Sequence, residues 1–390
     1  MAVRLFPVRK WTVLCLLAAC LGGLWWRYFF PAAEGKYLAG NDFLSFYAGG
    51  RLAFNRGLFD PRQISAIQLQ AAGMTTSELG FFSRLPFVAA FFWPLAHLPY
   101  RAACAIWQTL SLAALVVFLF LWRPPTPRTT VLAAALFLPP LVAVMNGQDV
   151  NFLLLWIALA AALLGRGRDF AAGLVFSLCL AKFHLFLLLP VLVLSRRMWR
   201  FGGGLAAAAA ALLAFCFAAQ GWDWPVRYMA EMRSSTVNPG AASMPTLHAL
   251  LAYFHAPWCV EIFAALAIAA CVFVAVRRTG LMYALAALLA AGPLLAVHAY
   301  LSDCALLLPA GLALCTLTRL TIVRVLCVAV MSPPVLGLLK DGYPDSIAVP
   351  ALLLVLCAAI AYESVRPPVP PRESDLKPRN GLAECSYGSV

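Results

Sequence analysis

The residues of this chain that could do chemistry are polar side chains interrupting long apolar runs. They form three groups: Asn146, Gln148 and Asn151; Lys182 with His184; and His298 with Tyr300 and Asp303. Ionisable groups inside a membrane are energetically expensive, so they mark candidate functional sites. Each group also has a structural interpretation, because lysine can extend its charge to the membrane surface and polar residues cap helix ends.

Asp42 is the first single candidate, because it follows the first long apolar run of the chain. A carboxylate there could meet a lipid-borne substrate at headgroup depth and accept a proton from a hydroxyl. The alternative is a helix cap, since aspartate near a helix N-terminus accepts hydrogen bonds from free N–H groups. Position alone leaves both interpretations open.

Four arginines follow Asp42 along the chain: Arg51, Arg56, Arg62 and Arg84. Guanidinium groups bind phosphate oxygens through paired hydrogen bonds, so these residues suit an anionic phosphate ligand. They could also be incidental, because long loops cross the membrane regardless of their charge.

The elements that must position these residues are membrane helices. Of the 390 residues, 63% are hydrophobic and 12% are charged, and the mean hydropathy is +0.85. This composition excludes a soluble enzyme, because soluble domains contain about 25% charged residues. Neither the twelve cysteines nor the acidic residues show metal-ligand spacing, so no metal or cofactor is implied.

Apolar segments of spanning or near-spanning length predict an all-α, polytopic membrane protein of about 12 transmembrane helices. The segments are 11–30, 102–122, 130–145, 150–165, 170–195, 201–219, 259–276, 281–300, 304–319, 322–339 and 347–363. We therefore expect one transmembrane domain, residues 1–363, followed by a disordered cytoplasmic tail, residues 364–390.

Two segments are ambiguous in length. Residues 85–99 are short and are predicted to re-enter the membrane, whereas residues 170–195 are long and are predicted to form a hairpin with Lys182 at its tip. The short turns on one side then hold eleven arginines, and those on the other hold only Lys182 and Lys340. The positive-inside rule places the arginine-rich turns and both termini in the cytoplasm. If residues 85–99 span instead, the middle of the bundle inverts.

This topology leaves two long loops outside, residues 31–85 and 220–258. The first contains the run NDFLSFYAGGRLAFNRG from Asn41, whose aromatic residues follow helical spacing. The pattern predicts an amphipathic helix lying at the membrane surface, with Asp42 near its N-terminus. The three polar groups end on the same outer face, so we expect one shared cavity.

Short motifs in a fixed order resemble those of the bacterial glycosyltransferase family 87. They are Asn41-Asp42-Phe43-x-x-Phe46-Tyr47-x-Gly49-Gly50, Gly57-Leu58-Phe59-Asp60, Pro94-Leu95 with Leu98-Pro99, Asn146-Gly147-Gln148-x-x-Asn151, Gly173 leading to Lys182, Met244-Pro245-Thr246 and His298-x-Tyr300-x-x-Asp303. The resemblance implies a GT-C-type bundle in the bacterial cytoplasmic membrane, with its active site on the extracytoplasmic face.

The resemblance also implies a reaction: a mannose-like or arabinose-like sugar moves from a polyprenyl-phosphate donor to a glycolipid or glycan acceptor. Carried over by motif, Asp42 is the catalytic base, His298 lies near the active site and Lys182 faces the same region. An inverting transfer fits these residues. Four residues are assigned to the donor phosphate: Lys182, Arg51, Arg56 and His298. Sugar or acceptor binding, or a supporting position, is assigned to Tyr47, Asn146, Gln148, Asn151, Tyr300 and Asp303.

Two other classes remain as alternatives. A transporter or flippase of lipid-linked sugars would also need midplane charges and broken helices, but not a loop carrying Asp42. A non-catalytic assembly protein would tolerate replacement of all the candidate residues. The net charge of +13 is explained by membrane orientation, so nucleic acid is not expected as a partner.

Overall fold

The computed structural model describes four stretches of the chain: residues 42–72, 81–122, 137–233 and 240–366. The regular elements within these stretches are all helical, which confirms the all-α class. The predicted first span at 11–30, the first seven residues of the predicted 130–145 span, and the tail beyond residue 366 lie outside the described residues.

The described α-helices are α1 (Phe43–Arg51), α2 (Pro61–Ala72), α3 (Pro86–Ala96), α4 (Tyr100–Leu121), α5 (Leu138–Met145), α6 (Val150–Leu164), α7 (Asp169–Phe176), α8 (Leu189–Ser195), α9 (Trp199–Gln220), α10 (Trp224–Met232), α11 (Leu247–Tyr253), α12 (Trp258–Arg278), α13 (Leu281–Leu295), α14 (Leu307–Leu317), α15 (Thr321–Met331), α16 (Pro333–Asp341) and α17 (Ala348–Val365). Short 3-10 helices cover Arg56–Phe59, Ser177–Phe186, Ala241–Ser243, Asp303–Leu306 and Asp345–Ile347.

Five helical stretches in the described ranges are long and apolar enough to cross a membrane: Tyr100–Leu121, Asp169–Phe186, Trp199–Gln220, Trp258–Arg278 and Asp345–Val365. The pair α15 and α16 passes the same test together but is bent by 49° between its two helices. Other apolar helices are shorter; α6 and α13 have 15 residues each, or about 22 Å against a hydrocarbon core of about 30 Å. The chain is a helical membrane protein, and the number of twelve spans stays a prediction.

Helix α3 has 11 residues and contains Pro94. At 1.5 Å per residue it is only about 16 Å long, too short to cross the membrane alone. It is followed after a short turn by the long helix α4. The re-entry of residues 85–99 stays a prediction.

The segment predicted as a hairpin does break at Lys182, whose φ of −129° and ψ of 56° are not helical. The rings of Phe176 and Phe186, ten residues apart in sequence, lie 5.4 Å from each other across the break. Phe170 and Val193, near the two ends of the segment, both pack against the first turns of α9. The chain therefore folds back at Lys182, although the stretch Asp169–Phe186 is long and apolar enough to span.

Helix α1 corrects the prediction of an amphipathic helix at the membrane surface. All its residues from Phe43 to Gly50 are buried, so it has no solvent-exposed polar face. Gly49 lies against the ring of Phe82, and a Cβ atom at Gly50 would lie 2.8 Å from the backbone of Phe92 in α3. In the sequence Gly49 lies on the predicted polar face of α1. In the structure Gly49 and Gly50 instead allow Phe82 and α3 to approach α1 closely.

Candidate active site

Six polar side chains from five separate segments meet in one buried cluster. Their positions are the start of α1 (Asp42), the loop before α3 (Arg84), the turn between α5 and α6 (Gln148 and Asp149), the break in the hairpin (Lys182) and the 3-10 helix before α14 (Asp303). We call these residues the polar cluster. Each of these residues lies at a helix end, in a turn or at a helix break, where the backbone is not a regular α-helix.

The turn between α5 and α6 is fixed by helix α4. Trp107 donates a hydrogen bond from Nε1 to the carbonyl of Gly147 at 2.8 Å, and Gln108 donates to the carbonyl of Met145 at 3.1 Å. Gly147 has a φ of 67°, a conformation that glycine adopts without strain. The turn thereby directs Gln148 and Asp149 into the cluster.

Lys182 lies at the centre of the polar cluster and is 2% exposed. Its Nζ lies 2.5 Å from Oδ1 of Asp303, 3.0 Å from Oε1 of Gln148 and 3.3 Å from Oδ1 of Asp149. An ammonium group has three N–H donors, so these three contacts account for all of them. A lysine in an apolar segment is stable here because it is paired with acids.

Arg84 forms the second buried ion pair of the polar cluster. Its Nε lies 3.1 Å from Oδ2 of Asp149 and its Nη2 lies 3.4 Å from Oδ1, a two-point contact typical of arginine with a carboxylate. The guanidinium also lies 5.5 Å from the ring centre of Phe46 in α1. Burial alone would raise the pKa of Asp149, but Arg84 and Lys182 lower it to about 2.

Asp42 occupies the N-cap position of α1, yet in the described structure its side chain makes no capping hydrogen bond. Its Oδ2 instead accepts a hydrogen bond from Nε2 of Gln148 at 2.5 Å. Its backbone N–H donates to the carbonyl of Asn146 at 2.9 Å, which ties the start of α1 to the α5–α6 turn. This geometry argues against the cap interpretation.

The environment of Asp42 raises its pKa above the ordinary aspartate value. The largest cause is desolvation of the carboxyl by surrounding protein, although Asp42 keeps an exposed surface. The hydrogen bond from Gln148 and the charges of Lys182 and Arg84 act in the opposite direction without cancelling that effect. A partly accessible carboxylate with a raised pKa is suited to accept a proton.

Two histidines and a tyrosine border the polar cluster. The rings of His184 and His298 stack at 4.8 Å, and the ring of Tyr300 lies 6.2 Å from that of His298. The backbone N–H of Tyr300 donates to Oδ2 of Asp303 at 2.9 Å. His298 and Tyr300 therefore lie beside the polar cluster, and the cavity shared by the three polar groups stays a prediction.

Other sequence candidates lie apart from the polar cluster. Asn151 is buried and donates to Ser111 at 3.0 Å and to the carbonyl of Pro140 at 3.1 Å, so it joins α6 to α4 and α5. Tyr47 donates to the carbonyl of Leu98 at 2.9 Å, which anchors α1 to the α3–α4 turn. These contacts hold helices together.

Arg51 and Arg56 lie apart from the polar cluster, unlike Arg84. Arg51 is exposed and donates to the hydroxyl of Tyr47 at 3.2 Å, at the opposite end of α1 from Asp42. Arg56 is also exposed, beside Gly221, and its carbonyl accepts a hydrogen bond from Arg227. Neither contact reaches the polar cluster.

Asn146 is exposed in the α5–α6 turn, where its carbonyl contacts Asp42.

Sequence reasoning did not name Asp149 as a candidate, and it named Arg84 only as one of four arginines suited to a phosphate. Arg84 stood among loop arginines with no distinguishing feature. Asp149 directly follows Gln148 and is an acid between two apolar segments, so the reasoning applied to Lys182 would have found it.

The polar cluster holds three carboxylates, one lysine and one arginine. Lys182 donates to Asp303, Gln148 and Asp149, and Arg84 donates to Asp149, Gln148 and Ser83. A ligand that carries negative charge must therefore find further positive groups outside the polar cluster.

Comparison with known proteins gives one match. A family model described as glycosyltransferase family 87 matches residues 86–299, a range that includes Gln148, Lys182 and His298 but ends before Asp303 and begins after Asp42. No curated protein and no solved structure matches the chain.

Proposed function

Since this chain belongs to glycosyltransferase family 87, whose model covers more than half of it, we propose that Asp42 is the general base of a sugar transfer. The observation that carries this proposal is the carboxyl of Asp42, which is partly accessible and is held by Gln148 rather than used as a helix cap. The donor would be a polyprenyl-phosphate sugar and the acceptor a hydroxyl of a glycolipid or glycan.

The reaction is a single displacement. An acceptor hydroxyl oxygen attacks the anomeric carbon, and the bond from that carbon to the phosphate oxygen breaks with its electron pair on the phosphate. The proton of the hydroxyl passes to Asp42 as the new bond forms, and the anomeric configuration is inverted. General base help of this kind contributes about 10²- to 10⁴-fold. The polyprenyl phosphate leaves without needing a general acid.

The donor phosphate needs positive charge. We assign direct contact to the half-exposed His298, which lies beside the polar cluster. Arg51 and Arg56 are exposed but lie away from Asp42, so we assign them the longer-range attraction of the anionic donor. Lys182 contributes through its charge, because its N–H donors are occupied by Asp303, Gln148 and Asp149. This arrangement keeps the phosphate away from Asp149 and Asp303, whose negative charges would repel it.

Sugar and acceptor contacts are assigned to polar side chains at the accessible side of the polar cluster. Asn146 is exposed next to Asp42, and Tyr300 lies half-buried beside His298. Supporting roles are assigned to three further residues. Tyr47 and Asn151 hold neighbouring helices together, and Asp303 binds Lys182.

The test of function is incubation of the purified full chain with a panel of polyprenyl-phospho-sugars and glycolipid acceptors. Consumption of one donor with formation of a glycosylated acceptor is the expected result. Asp42→Asn should abolish most of this transfer, and Asp341→Asn, at an exposed aspartate at the end of α16, is the matched control. Movement of a donor across a vesicle membrane without its consumption would favour the transporter instead.

The proposed orientation places the polar cluster on the extracytoplasmic face, in a transmembrane domain that ends near residue 363. Asn146→Cys in a chain with the exposed Cys259 replaced by serine should react with a membrane-impermeant maleimide on intact cells. Arg166→Cys, in the exposed turn between α6 and α7, should react only after permeabilisation. The reverse pattern would contradict the orientation.

A further inference from the structure

Gln148 contacts both the proposed base and the two buried cations. Its Nε2 donates to Oδ2 of Asp42 at 2.5 Å, and its Oε1 accepts from Nζ of Lys182 at 3.0 Å. Nη2 of Arg84 lies 3.4 Å from the same Oε1. Gln148 is therefore the direct connection between Asp42 and the cations of the polar cluster.

The two cations fix the direction of the Gln148 amide. Ammonium and guanidinium groups only donate hydrogen bonds, so they can be met only by the amide oxygen. With the oxygen held by Lys182 and Arg84, the –NH₂ group must face the other way, where it meets Asp42. A reversed amide would place its –NH₂ group against two cations and its oxygen against a carboxylate, which is unfavourable on both sides.

We propose that Gln148 is a positioning residue for the transfer: held by Lys182 and Arg84, it binds Oδ2 of Asp42 and leaves Oδ1 to accept the proton. This inference rests on the proposed role of Asp42 as base. A fixed carboxylate is effective because small displacements of a catalytic group are costly.

The same hydrogen bond should also control when Asp42 is charged. A donor to a carboxylate favours its ionised form, so Gln148 opposes the desolvation that raises the pKa of Asp42. Lys182 and Arg84 act in the same direction as Gln148, Asp303 acts against them, and Tyr300 also faces Asp42. Helix α3, which packs on α1, carries no ionisable side chain.

Gln148→Met tests the role because it keeps the length of the side chain and removes its donor. We expect transfer to fall roughly 10- to 100-fold with little change in KM for the donor, since the loss is one of alignment. The acid limb of the pH–rate profile should move to higher pH. Gln148→Asn keeps an amide and should recover part of the rate and of the profile.

Protonation of Asp42 can be measured without any transfer assay. A hydrophobic carbodiimide modifies protonated carboxyls, and peptide mass spectrometry gives the extent at Asp42 as a function of pH. In Gln148→Met, the modification should persist to higher pH than in the unsubstituted chain. Gln220→Met is the matched control, because Gln220 is also buried but its amide binds the carbonyls of Leu52 and Ala53.

The outcomes separate the two proposals. Unchanged pH dependence of Asp42 modification in folded Gln148→Met overturns the positioning role, whatever the rate of transfer. A shifted modification profile in a chain that transfers none of the donors counts against the proposed function but keeps the hydrogen bond by which Gln148 favours the charged form of Asp42. If Gln148→Met does not fold, the pH–rate profile and the pH dependence of Asp42 modification are measured on Gln148→Asn instead.

Discussion

Nζ of Lys182 lies 2.5 Å from Oδ1 of Asp303, although the two residues are 121 positions apart in the chain. Both side chains are almost fully buried, with 2% and 3% of their surfaces exposed. The pair joins the break in the hairpin to the 3-10 helix that precedes α14. It therefore links two parts of the bundle that no local sequence pattern connects.

Removing one member of this pair should be strongly destabilising, because the other charge is left buried. Lys182→Met is expected to lower stability by about 3–5 kcal/mol, seen as a lower melting temperature in detergent. Asp223→Asn is the control, since the Asp223 side chain is 56% exposed and its pair with Arg227 should contribute at most about 1 kcal/mol. Lys182→Met combined with Asp303→Asn should cost less than the sum of the single changes. Additive costs would mean that the two residues do not interact.

Asp42→Asn should separate activity from stability. Transfer is expected to fall about 10²- to 10⁴-fold, because asparagine cannot accept the proton. The amide oxygen of the introduced asparagine could still accept the hydrogen bond from Gln148, so the fold should persist. Transfer assays and thermal melting on the same preparation check both statements, and near-normal transfer would remove Asp42 from the base role.

The pH dependence of transfer should show an acid limb above the ordinary aspartate pKa. Desolvation raises the pKa of Asp42, and the base works only when it is deprotonated, so activity is lost as pH falls through that raised value.

The stability of the fold should depend on the protonation of Asp42 in the opposite direction. The folded state binds the proton more tightly than the unfolded state, so the stability that protonation provides is lost as pH rises through the folded pKa. Asp42→Asn should remove this effect and melt no lower than the unsubstituted chain at neutral pH, which a pH series of melts would test.

Gly50→Ala should displace helix α1. The added Cβ would lie 2.8 Å from the backbone of Phe92 and 2.9 Å from Cβ of Ala96, so α1 and α3 must separate. A cost of about 1–3 kcal/mol is expected, together with reduced transfer because α1 carries Asp42. Gly203→Ala is the control, since no atom lies within 4 Å of its added Cβ. Equal effects of the two substitutions on melting would show that the close approach of α1 and α3 is unimportant.

The long helices were the most predictable part of the fold. Apolar runs at 102–122 and 150–165 correspond to Tyr100–Leu121 and Val150–Leu164, because hydrophobic length alone determines such helices. The reversal at Lys182 was also predictable, since a lysine in the middle of an overlong apolar segment favours a break there.

Contacts between distant segments were not predictable. The sequence assigns Asp303 a sugar- or acceptor-binding or supporting position and identifies no partner for it. The chain from Ala296 to Ser302 is not helical, and Asp303 instead reaches Lys182. The burial of α1 was missed for a related reason, because glycine has no side chain from which a partner such as Phe92 can be inferred.

The break at Lys182 has a consequence for the order in which the protein is made. Asp149 precedes Lys182 along the chain, but Asp303 is synthesised 121 residues later. At roughly 5–20 residues per second, Lys182 waits about 6–24 s for its nearest acid. During that interval Asp149 and Gln148 are its available partners, and non-helical backbone within the membrane must be shielded by protein. The Lys182–Asp303 contact thus forms only after the segment that carries Asp303 has been synthesised.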